Sequence, residues 1–169
     1  MSDERFDDVR TANEVYAATF ALAGLEATAA RGLAVVTCMD SRIEPLAALG
    51  LGPGDAKILR NAGARVTKDV LRTLVLAVAL LGVDRILVMP HTRCRMAGQD
   101  ESEVHAEIER RTGLDTRSLA FSTVMDQEAT LETDLQRIRS WPWIPATVAV
   151  GGTIYDVDTG RLGAIRVLD

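Results

Sequence analysis

The chain has 169 residues, 47% hydrophobic and 25% charged, a balance that suits one globular domain able to fold without a disulfide or a structural metal. Its net charge of −5 argues against nucleic acid as the main partner. The longest apolar run, Leu74 to Val83, is far short of the ~20 residues of a membrane helix, and the start MSDERFDDVR lacks the basic and apolar stretches of a secretion signal, so no membrane contact and a cytoplasmic location are expected.

The segment from Asp8 to Arg31 is rich in Ala and Glu, and Val9, Val15, Phe20 and Leu25 can share one helical stripe. Leu33 to Thr37 is a short apolar run with β-branched residues, the pattern of a buried strand. Gly50, Gly52, Pro53 and Gly54 mark a loop, and Ala56 to Leu59 is a second strand that leads into the turn Asn61 to Ala64. Thr67 caps a helix running to about Leu81 and closed by Gly82. Arg85 to Met89 is a third strand, stopped at Pro90. Two polar or amphipathic helices follow, Glu101 to Arg111 and Asp126 to Ser140. Ala146 to Val150 is a fourth strand, and Thr153 to Val157 and Leu162 to Val167 flank the turn Asp158-Thr-Gly160 as a hairpin or bulged return.

Strands separated by helical segments indicate an α/β fold with a mainly parallel sheet. In such sheets ligands bind beyond the carboxyl ends of the strands, where strand order reverses. Cys38 directly follows the first strand, and His91 lies just past the third. If those strands are neighbours, both residues reach the same rim.

Cys38 stands in Cys38-Met-Asp40-Ser-Arg42, and His91-Thr-Arg-Cys94 follows the third strand. Two thiolates and an imidazole are a preferred zinc set, and three protein ligands leave a fourth tetrahedral position open, as catalytic zinc sites do. Each residue alone has a plainer reading: a single Cys packs as a small apolar side chain, and a His after a strand serves its own loop. The chain has only two cysteines and two histidines, and both cysteines and one histidine fall at predicted strand ends. That concentration favours the metal.

Cys38-x-Asp40-x-Arg42 followed by His91-x-x-Cys94 resembles the β-class carbonic anhydrases, in particular their compact bacterial branch. Arg60-Asn-Ala-Gly63 and the stretch from Gly152 to Leu162 extend the likeness over most of the chain. The resemblance implies four parallel strands plus an antiparallel C-terminal strand, flanked by helices. It implies a single domain over 1–169, whose N-terminal arm, 1–31, packs on a partner in a homodimer or a multiple of dimers. It implies Zn²⁺ held by Cys38, His91 and Cys94, Asp40 and Arg42 as the catalytic dyad, and reversible hydration of carbon dioxide to bicarbonate and a proton. Asp40 then orients the nucleophile, and Arg42 keeps Asp40 ionised through a bidentate hydrogen bond. The plainer reading of Asp40 and Arg42 is a loop ion pair. In some members of the family this Asp closes the site as a fourth metal ligand, and Asp40 is expected to be able to do so.

Two departures from the family's pattern stand near the site: Arg95 where Gly commonly follows the second Cys, and Ala64 where a second Gly commonly follows Gly63. A positive φ at Arg95 would strain or reshape the loop. Arg93 and Arg95 either draw anions to the site or point to solvent. His105 reads as a solvated histidine rather than a proton relay, Met89 and Met96 as packing residues, and Tyr155 as structural. Within the same fold the alternatives are hydrolysis of carbonyl sulfide or carbon disulfide at the same zinc site, or a zinc-binding paralogue with weak catalysis. A metal-free Cys–His nucleophile is a further alternative, but it leaves one cysteine without a role.

Overall fold

A computed structural model describes residues 4–168; residues 1–3 of the expected arm, and residue 169, lie outside the described residues. The order of elements is α1 (Asp7–Ala18), β1 (Leu33–Cys38), α2 (Pro45–Ala48), β2 (Ala56–Asn61), α3 (Lys68–Leu80), β3 (Arg85–Met89), α4 (Glu101–Thr112), α5 (Gln127–Arg139), β4 (Ala149–Gly152) and β5 (Arg166–Leu168). The strands form one sheet in the order β2-β1-β3-β4-β5. The first four run parallel and β5 is antiparallel to β4, as the family resemblance implied.

β1 is an interior strand, buried on both faces. Ala34 and Val36 point into a core shared with Leu71 and Leu74 of α3 and Leu135 and Ile138 of α5. Val35 faces the opposite side, with Ile43, Met89 and Tyr155. Each such fully buried aliphatic side chain contributes roughly 1.5–3 kcal/mol, which explains why short strands suffice. The helices have the ends their sequences foreshadow. Thr67 accepts a hydrogen bond from the Val70 amide at the start of α3. Asp100 and Glu103 form a reciprocal capping box on α4, and Gly113 ends that helix at φ 72°.

Three expectations shift. The helix expected to reach Arg31 stops at Ala18, and no residue of α1 is buried; past it the backbone is taken up by other segments, with the amides of Ala29, Ala30 and Arg31 donating to the carbonyls of Leu81, Gly54 and Asp55, which a helix would have to give up. The fourth strand begins at Ala149, because the turns Ile144 N–H to Trp141 O and Val148 N–H to Pro145 O occupy the preceding residues. It extends through Gly151 and Gly152, where there is little room for a side chain: a Cβ on Gly152 would stand 2.8 Å from Leu131 Cδ1 and force that leucine to shift. The expected terminal hairpin is reduced to a single bridge between Tyr155 and Leu162, and the last strand returns to β4 instead.

Candidate metal centre

β1 and β3 are neighbours, with Thr37 opposite Met89. Their carboxyl ends therefore deliver Cys38 and His91 to one rim, at the point where the chain has moved from β2 on one side of β1 to β3 on the other. The loop after β3 turns back at once. Arg93, at φ 54°, provides the left-handed step, which brings Cys94 over the same spot. The strained position is thus Arg93 and not Arg95.

The ligand atoms of Cys38, His91 and Cys94 lie within 4.8 Å of one another, and all three residues are buried. The two sulfurs are 3.9 Å apart. Two zinc–sulfur bonds of about 2.3 Å at a tetrahedral angle would set them about 3.8 Å apart. His91 Nδ1 stands 2.8 Å from the Thr92 carbonyl oxygen, which can only accept, so Nδ1 carries the hydrogen. Nε2 is left with a lone pair, and it is a buried atom with no hydrogen-bond partner among the described residues. A buried nitrogen of this kind is costly unless something electrophilic meets it, and a divalent cation of borderline softness suits this donor set.

The electrostatics point the same way. The Cys38 thiol is held well below its usual range, first by the hydrogen bond with Cys94, against burial, and then by His91. The same bond with Cys38, with burial adding to it, pushes Cys94 up. Burial resists a charge on His91, but the Cys38 sulfur, the Thr92 carbonyl and the Asp40 carboxylate together outweigh it and raise the pKa of the ring. The cluster is a trap for positive charge.

Asp40 and Arg42 sit on the solvent side of this cluster. Arg42 grips the carboxylate in bidentate fashion, Nε to Oδ1 at 2.9 Å and Nη2 to Oδ2 at 2.7 Å, and the Arg42 amide adds a third donor at 3.0 Å. Those hydrogen bonds hold the Asp40 carboxyl well below the usual carboxylate range. The pair is not an isolated loop contact: Asp40 Oδ2 lies 3.7 Å from His91 Nε2, and Arg42 Nη2 also reaches the Arg93 carbonyl at 3.2 Å.

The loop carrying Cys38, Asp40 and Arg42 is braced by Arg60 of β2, whose guanidinium donates to the carbonyls of Cys38, Asp40 and Ile43. Asn61 closes the next turn through hydrogen bonds to the backbone of Arg65. Within that turn Ala64 takes φ 58°, a conformation that suits the glycine common at this position in the family. The Tyr155 backbone pairs with the loop on both sides, Thr92 N–H to Tyr155 O and Tyr155 N–H to Pro90 O. Gln127, at the start of α5, donates to the His91 carbonyl at 2.7 Å. Sequence reading gave no role to Gln127, because a polar residue at the first position of a helix carries no signal of what it faces.

The two arginines of the metal loop are already engaged. Arg93 pairs with Asp158 at the surface, and Arg95 donates to Gln99. His105 is half-buried, bonded to Thr116 and stacked near Phe121, so it is neither fully solvated nor part of this cluster. Met89 and Met96 pack in the core beside the site.

The profile of the carbonic anhydrase family matches residues 33–162, a span that holds all five residues of the cluster. β-Carbonic anhydrase 1 of Mycobacterium tuberculosis is 31% identical over 94% of this chain and 96% of its own. A carbon disulfide hydrolase of Acidithiobacillus thiooxidans is 28% identical, over 79% of this chain and 72% of its own. The crystal structure of a carbonic anhydrase from Streptococcus mutans superposes with a TM-score of 0.88 at 38% identity, covering 100% of both chains. With the fold, the donor set and these matches in agreement, the chain belongs to the β-class carbonic anhydrase family of zinc lyases.

Proposed function

We propose that this protein catalyses the reversible hydration of carbon dioxide to bicarbonate and a proton, with zinc held by Cys38, His91 and Cys94. The observation that carries the reading is the convergence of two sulfurs and an unpartnered imidazole nitrogen within 4.8 Å, with an ionised carboxylate 3.7 Å from that nitrogen. When bound, the zinc supplies the Lewis acidity that makes a water molecule ionisable near neutral pH. The chain's own residues do the rest. Asp40, acceptor-only while ionised, takes a hydrogen bond from the attacking oxygen and orients it toward the carbon. Arg42 keeps Asp40 ionised and fixes its two oxygens. Two thiolates balance the charge of the cation.

The chain is a single domain with a helical arm, and a homodimer. Two surfaces support the pairing. α1 buries nothing within its own chain, with Phe6, Val9, Val15 and Tyr16 exposed. An open groove of about 400 Å³ on the sheet is lined by Leu33, Leu49, Leu51, Leu87, Ile165 and Val167, of which Ile165 and Val167 are exposed. Buried free thiols fit a reducing, cytoplasmic compartment; no helix among the described residues is long and apolar enough to cross a membrane.

A second reading, hydrolysis of carbon disulfide at the same site, has the support of the Acidithiobacillus thiooxidans relative. The test is metal content together with the rates on carbon dioxide and carbon disulfide, for wild type and Asp40→Ala. One zinc per chain in both proteins, with rapid hydration lost only in the variant, is the expected result. A protein that takes up no zinc refutes the proposal, and turnover of carbon disulfide alone selects the second reading.

A further inference from the structure

We infer that Gln127 is a positioning residue for His91, acting through the peptide unit that joins His91 to Thr92; the inference rests on the zinc site proposed above. Three hydrogen bonds define that unit. The His91 carbonyl accepts from Gln127 Nε2 at 2.7 Å. The Thr92 amide donates to the Tyr155 carbonyl at 2.9 Å. The Thr92 carbonyl, one bond farther along, accepts from His91 Nδ1 at 2.8 Å. The first two pin the peptide plane at both ends, and the third ties the imidazole to the residue that plane carries. The direction of the unpartnered Nε2 is therefore set by where the 91–92 peptide lies.

Of the two outer anchors, Tyr155 acts through its backbone and is retained whatever its side chain. Gln127 is the only side chain in the arrangement that reaches across from another element. It comes from the first residue of α5, whose N-terminus is fixed independently by Asp126 accepting from the amides of Glu128 and Ala129. It also stands on the wall of a small cavity beside Cys94, with Pro90 and Val124. Groups that hold a metal-binding histidine in its orientation typically change metal affinity by roughly 10–100-fold when removed.

Gln127→Glu separates positioning from general support. A carboxylate keeps the length of the side chain but cannot donate to the His91 carbonyl, and an acidic residue in the first turn of a helix favours the helix. Zinc affinity, measured by competition with a chromogenic chelator, should weaken about tenfold. The thermal midpoint of the metal-free protein should stay that of the wild type. Gln127→Met, neutral and also without a donor, should weaken zinc to a similar extent. Wild-type zinc affinity in both variants overturns the inference, and so does a loss that merely follows a fall in the metal-free midpoint. A wild-type protein that binds no zinc would sink the proposed function itself, a result distinct from unweakened variants of a zinc-binding parent.

Discussion

Cys38 and Cys94 are the only cysteines of the chain, so each thiol-dependent property can be tested with two substitutions. Either Cys→Ser change should abolish stoichiometric zinc, read by elemental analysis, because a hydroxyl is not a thiolate at neutral pH. Asp40→Asn should leave zinc in place and lower kcat/KM for hydration by about 10²–10⁴, the range for a group that handles a proton in the transition state. Chelation has its own signature. The two sulfurs stand 3.9 Å apart, so removal of the metal should expose a neighbouring pair of thiols to oxidation to a disulfide, whose bond is ~2.05 Å. Peroxide should then take one hydrogen from each thiol, giving two waters and a reducible bond, seen by mass spectrometry as a loss of two hydrogens; zinc-loaded protein should resist. These donors were legible in the sequence because ligand chemistry restricts residue type so tightly. The hydrogen bonds that aim them were not, since Arg60 and Gln127 act on backbone carbonyls, and any donor of the right reach would look the same in a sequence.

At the scale of elements, one buried ion pair joins the two halves of the principal core. The Asp134 side chain on α5, 2% exposed, accepts from Arg65 Nε at 2.8 Å, from the Val66 amide at 3.1 Å and from Arg137 at 3.2 Å. Arg65 in turn holds the Ser122 carbonyl. The turn after β2, the entry to α3 and the loop before α5 thus meet at a single carboxylate. Asp134→Ala strands the Arg65 guanidinium, and breaking a buried pair from one side costs about 3–5 kcal/mol. At roughly 2–4 °C per kcal/mol for a chain of this size, the thermal midpoint should drop on the order of 10 °C, checked by calorimetry. The sequence conveyed the helices and strands, because caps such as Thr67 and Asp100 and runs such as Leu33 to Thr37 are local signals. It did not convey the role of Asp134, whose partners Val66 and Arg65 are 68 and 69 residues away, nor the start of β4, which the turns holding Ile144 and Val148 delay to Ala149.

For the whole molecule, the question is what covers α1. A 12-residue helix with no buried residue is marginal in water, and Val9 and Val15 are 60% and 69% exposed. A monomer would leave those side chains, and the apolar groove on the sheet, facing solvent at a cost of roughly 25 cal/mol for each Å². In the proposed dimer, two copies that exchanged arms would remove both surfaces at once, and a closed two-fold pair would need no further partner. The wild type should therefore elute with twice the chain mass by light scattering. The double substitution Val9→Glu and Val15→Glu places charge on the apolar side of α1 without touching β1 to β5. It should yield a monomer whose helix content falls by about the contribution of α1, while Cys38, His91 and Cys94 still bind one zinc, because all three ligands come from the same chain. A variant that remains dimeric would mean that the sheet groove or another face holds the copies together, and α1 would need a different explanation.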